Sequence, residues 1–133
     1  MTVSTDKNLL DLQLIFNYLH DQAYWSKGRS LETVKRSIET SLSFGLYDDG
    51  QQIGFARVVT DYAIIAWLMD VFILPEYRGS GHGRTLLKQV FEHPELSQIK
   101  TWGLKTRDAH DLYKKFGFEQ LTKPEMQMEW KRN

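Results

Sequence analysis

Residues 70–87 constrain this chain more than any other stretch. They read Asp-Val-Phe-Ile-Leu-Pro-Glu-Tyr-Arg-Gly-Ser-Gly-His-Gly-Arg-Thr-Leu-Leu. An apolar run, Val71 to Leu74, is stopped by Pro75, and three glycines then alternate at positions 79, 81 and 83 between Arg78 and Arg84. Leu86, Leu87, Val90 and Phe91 follow at the spacing of one helix face. The order is strand, turn, glycine-rich loop, helix. Glycines let backbone N–H groups approach a ligand closely, and a helix start adds unpaired donors and a positive partial charge. Such a junction suits a phosphate group.

The loop is no Walker A motif, because no Gly-Lys-Ser/Thr follows. It also lacks the Gly-x-Gly-x-x-Gly spacing and the downstream acid of a dinucleotide site. Arg78-Gly79-Ser80-Gly81-His82-Gly83 instead resembles the Arg/Gln-x-x-Gly-x-Gly/Ala signature of the GNAT superfamily of acyl-CoA-dependent N-acetyltransferases. Taken alone, the same residues also fit a glycine-rich connector that caps an ordinary helix. A second segment weighs against that. Ala109 to Phe118 resembles the superfamily's second signature, a short helix ending Leu-Tyr-x-x-x-Gly-Phe, and lies downstream across one strand-like run.

Composition narrows the choice. At 133 residues the chain, 1–133, is expected to form a single domain. No run approaches the ~20 apolar residues of a membrane span, and no secretory leader is visible, so the cytoplasm and no membrane contact are expected. Cysteine is absent, which removes thiolate nucleophiles and disfavours a thioester-linked enzyme intermediate. Net charge is zero, whereas a nonspecific nucleic-acid binder needs a basic excess. No nucleic-acid partner is expected. The four histidines, 20, 82, 93 and 110, have no metal-ligand spacing, so no metal is expected.

Periodicity supplies the scaffold. Asn8 or Asp6 would cap a helix to about His20, with Leu9, Leu12, Ile15, Phe16 and Leu19 on its apolar stripe. Ser30 would cap a second, burying Leu31, Val34 and Ile38. Strand-like runs cover 2–5, 43–47, 52–60, 64–74 and 99–104. Helices span about 81–91 and 109–116, with Gly117 closing the latter. Runs 118–121 and 126–130 would complete the sheet. The order β-α-α-β-β-β-α-β-α-β-β is that of a GNAT-type α/β fold. The resemblance implies a mixed central sheet splayed to hold acyl-CoA.

It also implies roles. Val71, Phe72 and Ile73 would lend backbone groups to the pantetheine arm of acetyl-CoA, as a strand pairs with an added strand. Their side chains also suit a plain buried strand, and both readings can hold together. Arg78, Gly79, Ser80, Gly81, His82, Gly83 and Arg84 would grip the pyrophosphate. Gly103 would mark where the next strand bends away. Tyr113 would assist departure of the coenzyme A thiolate, although its i+4 spacing from Ala109 equally suits a core aromatic. A thiol near about 8.5 gives up its proton before a phenol near about 10, so the phenol is a weak donor whose hydrogen bond strengthens as sulfur gains charge. Thr106 departs from the family, which often has asparagine there.

The base that takes the amine proton stays open among Asp70, His110 and water. Strand alternation puts Asp70 on the face of Leu68 and Phe72, where it could instead anchor a loop. Tyr24, Trp25 and Trp67 could wall an acceptor site or seal the core, and Arg29 and Arg57 hint at a carboxylate on the acceptor. The expectation is an N-acetyltransferase that moves acetyl from acetyl-CoA to a primary amine, on a small molecule or peptide, by direct attack. A non-catalytic acyl-CoA binding module and a nucleotide-binding domain are the alternatives. Exposed sheet edges leave room for a homodimer.

Overall fold

The computed structural model describes residues 1–132. Strands β1 (Thr2–Ser4), β2 (Leu42–Asp48), β3 (Gln51–Thr60), β4 (Ile65–Ile73) and β5 (Thr101–Gly103) form one sheet in sequence order. The first four are antiparallel neighbours, and β5 runs parallel to β4. Helices α1 (Leu12–Asn17) and α2 (Leu31–Glu39) come before β2, α3 (His82–Phe91) joins β4 to β5, and α4 (His110–Lys114) follows β5. A parallel pair cannot be closed by a hairpin, which is why α3 must cross over between its strands.

The sheet separates two cores. One joins Leu46, Val58 and Leu68 to Leu86, Leu87 and Val90 of α3, with Tyr113 at its edge. The other joins Phe55 and Phe72 to Ile15 and Leu19 on one side and Val34 and Ile38 of α2 on the other. The stripe of α3 is as its spacing implies. Ser30 caps α2 by accepting from the Thr33 amide, while Leu31 stays exposed. The first helix begins later than expected. Asp11 accepts from the Leu14 amide, and its own amide donates to Gln52 Oε1 at 2.7 Å. Asp6 caps only the short turn Lys7–Leu9, which leaves Leu9 exposed.

A bulge in β4 carries the largest consequence. Phe55 faces Phe72 and Arg57 faces Met69, so β4 holds one more residue than β3 across this interval. Asp70 takes up the excess at φ 54°, a left-handed conformation uncommon outside glycine. Leu68 therefore packs toward α3 and Phe72 toward α1 and α2. The sequence expectation put both on one face. Burial still alternates through the bulge, so the pattern hides the switch.

The C-terminal end also differs. Among the described residues, 118–121 and 126–130 form no strands, and the sheet stops at five. A turn at Pro124–Met126 carries the chain away, and Met126, Met128 and Trp130 are exposed. Alternation alone does not make a strand when no edge pairs with it. No helix among the described residues is long and apolar enough to cross a membrane.

Candidate active site at the open seam of the sheet

β4 and β5 pair over three positions only, the last being Trp67 with Gly103. Beyond it β4 continues to Ile73 with that edge unpaired by β5, and the strands part. The last paired position, Gly103, needs glycine for a steric reason: a Cβ there would strike the Trp67 ring. The sequence pointed to this glycine as a bend. The structure adds the ring that requires it.

One cleft, of about 570 Å³, runs from the seam to the start of α3. Val71, Phe72 and Ile73 line it along the strand, and Gly79, Gly81, His82 and Gly83 line its far end. Gly79 and Gly81 sit at φ 86° and 81°, so the loop turn needs glycine for conformation, with open space around each. Gly81 is the N-cap of α3 and no side chain caps the helix. The first-turn amides of α3, from His82 onward, are thus left to a ligand or solvent. A Cβ on Gly83 would reach only ordinary contact with Ile73, at 3.9 Å. Bare backbone, an uncapped helix start and a strand edge suit a phosphorylated, amide-bearing arm.

Arg78 is placed differently from its neighbours. Its Nε donates to the Ile73 carbonyl at 2.9 Å and its Nη2 to the Tyr18 hydroxyl at 2.6 Å, so the guanidinium ties the loop to β4 and to the end of α1. Ser80 and Arg84 are exposed. Tyr18 was not singled out from the sequence. Its ring stacks on Phe72 at 4.0 Å, and its hydroxyl masked it in a search for apolar stripes.

A second cleft, of about 460 Å³, opens on the other side of the seam. Arg29, Trp67 and Asp70 line it, and Tyr24, Trp25 and Tyr113 line both clefts. Tyr113 is buried, and its phenol is pushed up to about 12, chiefly by desolvation and further by Tyr24 and Asp108. It is therefore a neutral donor at any physiological pH.

Asp70 organises this second cleft. Its carboxylate accepts from Trp25 Nε1 at 3.0 Å, from Arg29 Nη1 at 3.0 and 3.1 Å, and from Arg57 Nε at 2.9 Å. Arg57 also donates to Ser41 Oγ at 2.9 Å. The carboxylate that Arg29 and Arg57 hold is thus the protein's own. Asp70 is a loop anchor here, with both oxygens engaged. Tyr24 is fixed as well, since its hydroxyl accepts from the Arg107 amide at 2.8 Å and the Arg107 guanidinium lies 3.8 Å over its ring. Thr106 accepts from the Ala109 amide at 3.0 Å, which sets the entry to α4. His110 lines a third cavity, beyond β5, and neither of these clefts.

A mixed sheet that opens at one seam, with a glycine loop and helix start at one end and a buried phenol between two clefts, defines an acyl-CoA-type transferase scaffold. Residues 39–120 match the model of the GNAT acetyltransferase domain, and the chain belongs to that family. Among solved structures, a GNAT-family acetyltransferase assigned in Xanthomonas campestris pv. campestris is 44% identical, with TM-score 0.95 over 98% of this chain and 92% of that one. A protein of Gibberella zeae assigned as an acetyltransferase is 30% identical over 68% of this chain, which spans 62% of that relative's length. The [ribosomal protein bS18]-alanine N-acetyltransferase of Haemophilus influenzae is 29% identical over 91% of this chain and 84% of its own.

Proposed function

We propose that the chain is an acetyl-CoA-dependent N-acetyltransferase that acts on a primary amine by direct attack. The observation that carries this reading is Tyr113, which borders both clefts at the one place where the sheet opens. Acetyl-CoA supplies the activated acyl group. The edge of β4 at Val71, Phe72 and Ile73 aligns the pantetheine arm, and the loop from Arg78 to Arg84 receives the pyrophosphate on the amides of Gly79, Ser80, Gly81, His82 and Gly83. Arg78 shapes that loop through Ile73 and Tyr18.

The amine enters from the second cleft, between Trp25 and Tyr24 on one wall and Trp67 on the other. Its nitrogen forms a bond to the acetyl carbon as the C–S bond breaks. Backbone N–H groups at the bulged strand stabilise the oxygen that gains charge. Tyr113 donates a hydrogen bond to the departing sulfur, and the amine proton leaves to water, because Asp70 has both oxygens occupied and His110 faces another cavity. A small-molecule amine and a peptide N-terminus both fit this scheme, and no metal enters it.

Thiol release from acetyl-CoA with a panel of amines and peptides, alongside calorimetry with acetyl-CoA and CoA, tests the proposal. Heat of binding and acceptor-dependent release are expected. Binding without release under every acceptor would make the chain a non-catalytic acyl-CoA module, and no binding would end the reading.

A further inference from the structure

Asp70 leaves one of its two arginines with donors unused. Arg57 is fully engaged, with Nε on Asp70, Nη1 on Ser41 Oγ at 2.9 Å and Nη2 on the Met69 sulfur at 3.5 Å. Arg29 holds both Asp70 oxygens through Nη1 alone. Among the described residues its Nε and Nη2 meet no acceptor, and neither is sealed from solvent. The Arg29 side chain is 20% exposed and lines the second cleft. Nε and Nη2 form one edge of a guanidinium, a pair of parallel donors that fits a carboxylate.

The charges around the cleft point the same way. Four cationic groups, Arg29, Arg57, Lys105 and Lys131, answer two carboxylates, Asp70 and Glu129. Arg29, Lys105 and Lys131 line the cleft itself. Asp108, the other acid on its lining, pairs with Arg107 at 3.7 Å. The excess attracts an anionic acceptor, and it favours the neutral form of the amine that must attack. A cationic acceptor finds less, because the Arg107 guanidinium already lies over the Tyr24 ring. Between these charges Trp25, Trp67, Met69 and Leu104 make the walls apolar.

We propose, resting on the transfer reaction above, that its acceptor is a free amino acid with an apolar or aromatic side chain, its carboxylate seated on Nε and Nη2 of Arg29. The neutral amine bonds to the acetyl carbon, the C–S bond breaks, one amine proton passes to water, and CoA leaves as its thiolate. The side chain lies between Trp25 and Trp67. A peptide N-terminus carries an amide in place of this carboxylate and so loses the contact. Arg29 is then the residue that sets specificity, held in position by Asp70.

Calorimetry with CoA first shows that the coenzyme site fills. Thiol release from acetyl-CoA is then compared for phenylalanine, phenylalaninamide and phenethylamine, each per concentration of neutral amine. The kcat/KM for phenylalanine should exceed the other two by about 10–100-fold, the range of a hydrogen-bonded contact to a charged group. Arg29→Lys keeps a cation beside Asp70 and loses the forked edge, so that preference should shrink by about tenfold. The comparison of three acceptors uses the parent protein and stands even where the variant fails to fold. An equal or higher kcat/KM for the amide or for phenethylamine overturns the acceptor class and leaves acetyl transfer standing. An undiminished preference in folded Arg29→Lys overturns the role of Arg29. Release with none of the three overturns the proposal as well, and absent heat with CoA ends the transfer reading with it.

Discussion

Asp70 and Arg57 sit on neighbouring strands, and the Arg57 Nε reaches the Asp70 carboxylate at 2.9 Å with the Asp70 side chain wholly buried. Arg29 joins from the loop before α2, so one carboxylate stands between two guanidiniums. Removal of a buried partner costs more than the pair contributes, because the remaining charges lose their counterion. Asp70→Ala should destabilise the fold by about 3–5 kcal/mol. Urea unfolding checks this, and a loss below about 1 kcal/mol would show the three groups to be hydrated.

Trp25 donates to the same carboxylate at 3.0 Å. Trp25→Phe keeps most of the ring and removes the donor, at a stability cost of about 0.5–1.5 kcal/mol. On the proposed reaction, KM for the amine should rise several-fold and acetyl-CoA affinity by calorimetry should fall by less, because Trp25 borders both clefts. A larger fall in acetyl-CoA affinity than in amine affinity would give Trp25 its main role on the coenzyme side.

Tyr113→Phe should lower turnover by about 10²-fold, the lower end of proton-transfer effects, because a phenol held near 12 donates poorly. The same shift sets a stability effect at alkaline pH. The folded-state pKa lies above the unfolded value near about 10, so the native state holds its proton longer. The contribution is fully present below about pH 10 and is lost as pH rises through about 12. It amounts to about 2–3 kcal/mol. Melting curves across that window should show a smaller alkaline loss in Tyr113→Phe than in the parent.

Gly81→Ala places a side chain at φ 81° with no neighbour to strike. The strain should cost about 1 kcal/mol and shift the start of α3. On the proposed reading, acetyl-CoA affinity should fall more than amine affinity. An unaltered calorimetric titration would remove the helix start from the coenzyme site.

Gly103→Ala drives a methyl group into the Trp67 ring. Overpacking of this kind costs about 1–3 kcal/mol. Trp67→Leu in the same chain should recover part of that loss, and a double-mutant cycle measures the coupling. Additive losses would mean that the ring moves freely.

What could be read from the sequence was local. The glycine loop and the α3 stripe follow from residues within one turn or one helix of each other, as does the Ser30 cap. The Asp70 cluster joins positions 25, 29, 57 and 70, and no spacing reveals that two arginines share one internal carboxylate. The bulge escaped because buried and half-buried residues still alternate through it. The last two strands were expected from alternation, and pairing needs an edge that sequence does not display. Tyr113 was legible as a half-turned helix aromatic, and its place between two clefts was not.

The extra residue at Asp70 makes β4 change phase midway, so its two halves answer to different layers of the molecule. Deletion of that residue would restore an unbroken period of two along the strand. Phe72 would then stand three positions after Leu68 and keep its face and its stacking on Tyr18, while Arg29, Arg57 and Trp25 would lose the carboxylate they share. A chain one residue shorter would thus keep its strands in step and lose the anchor of its second cleft.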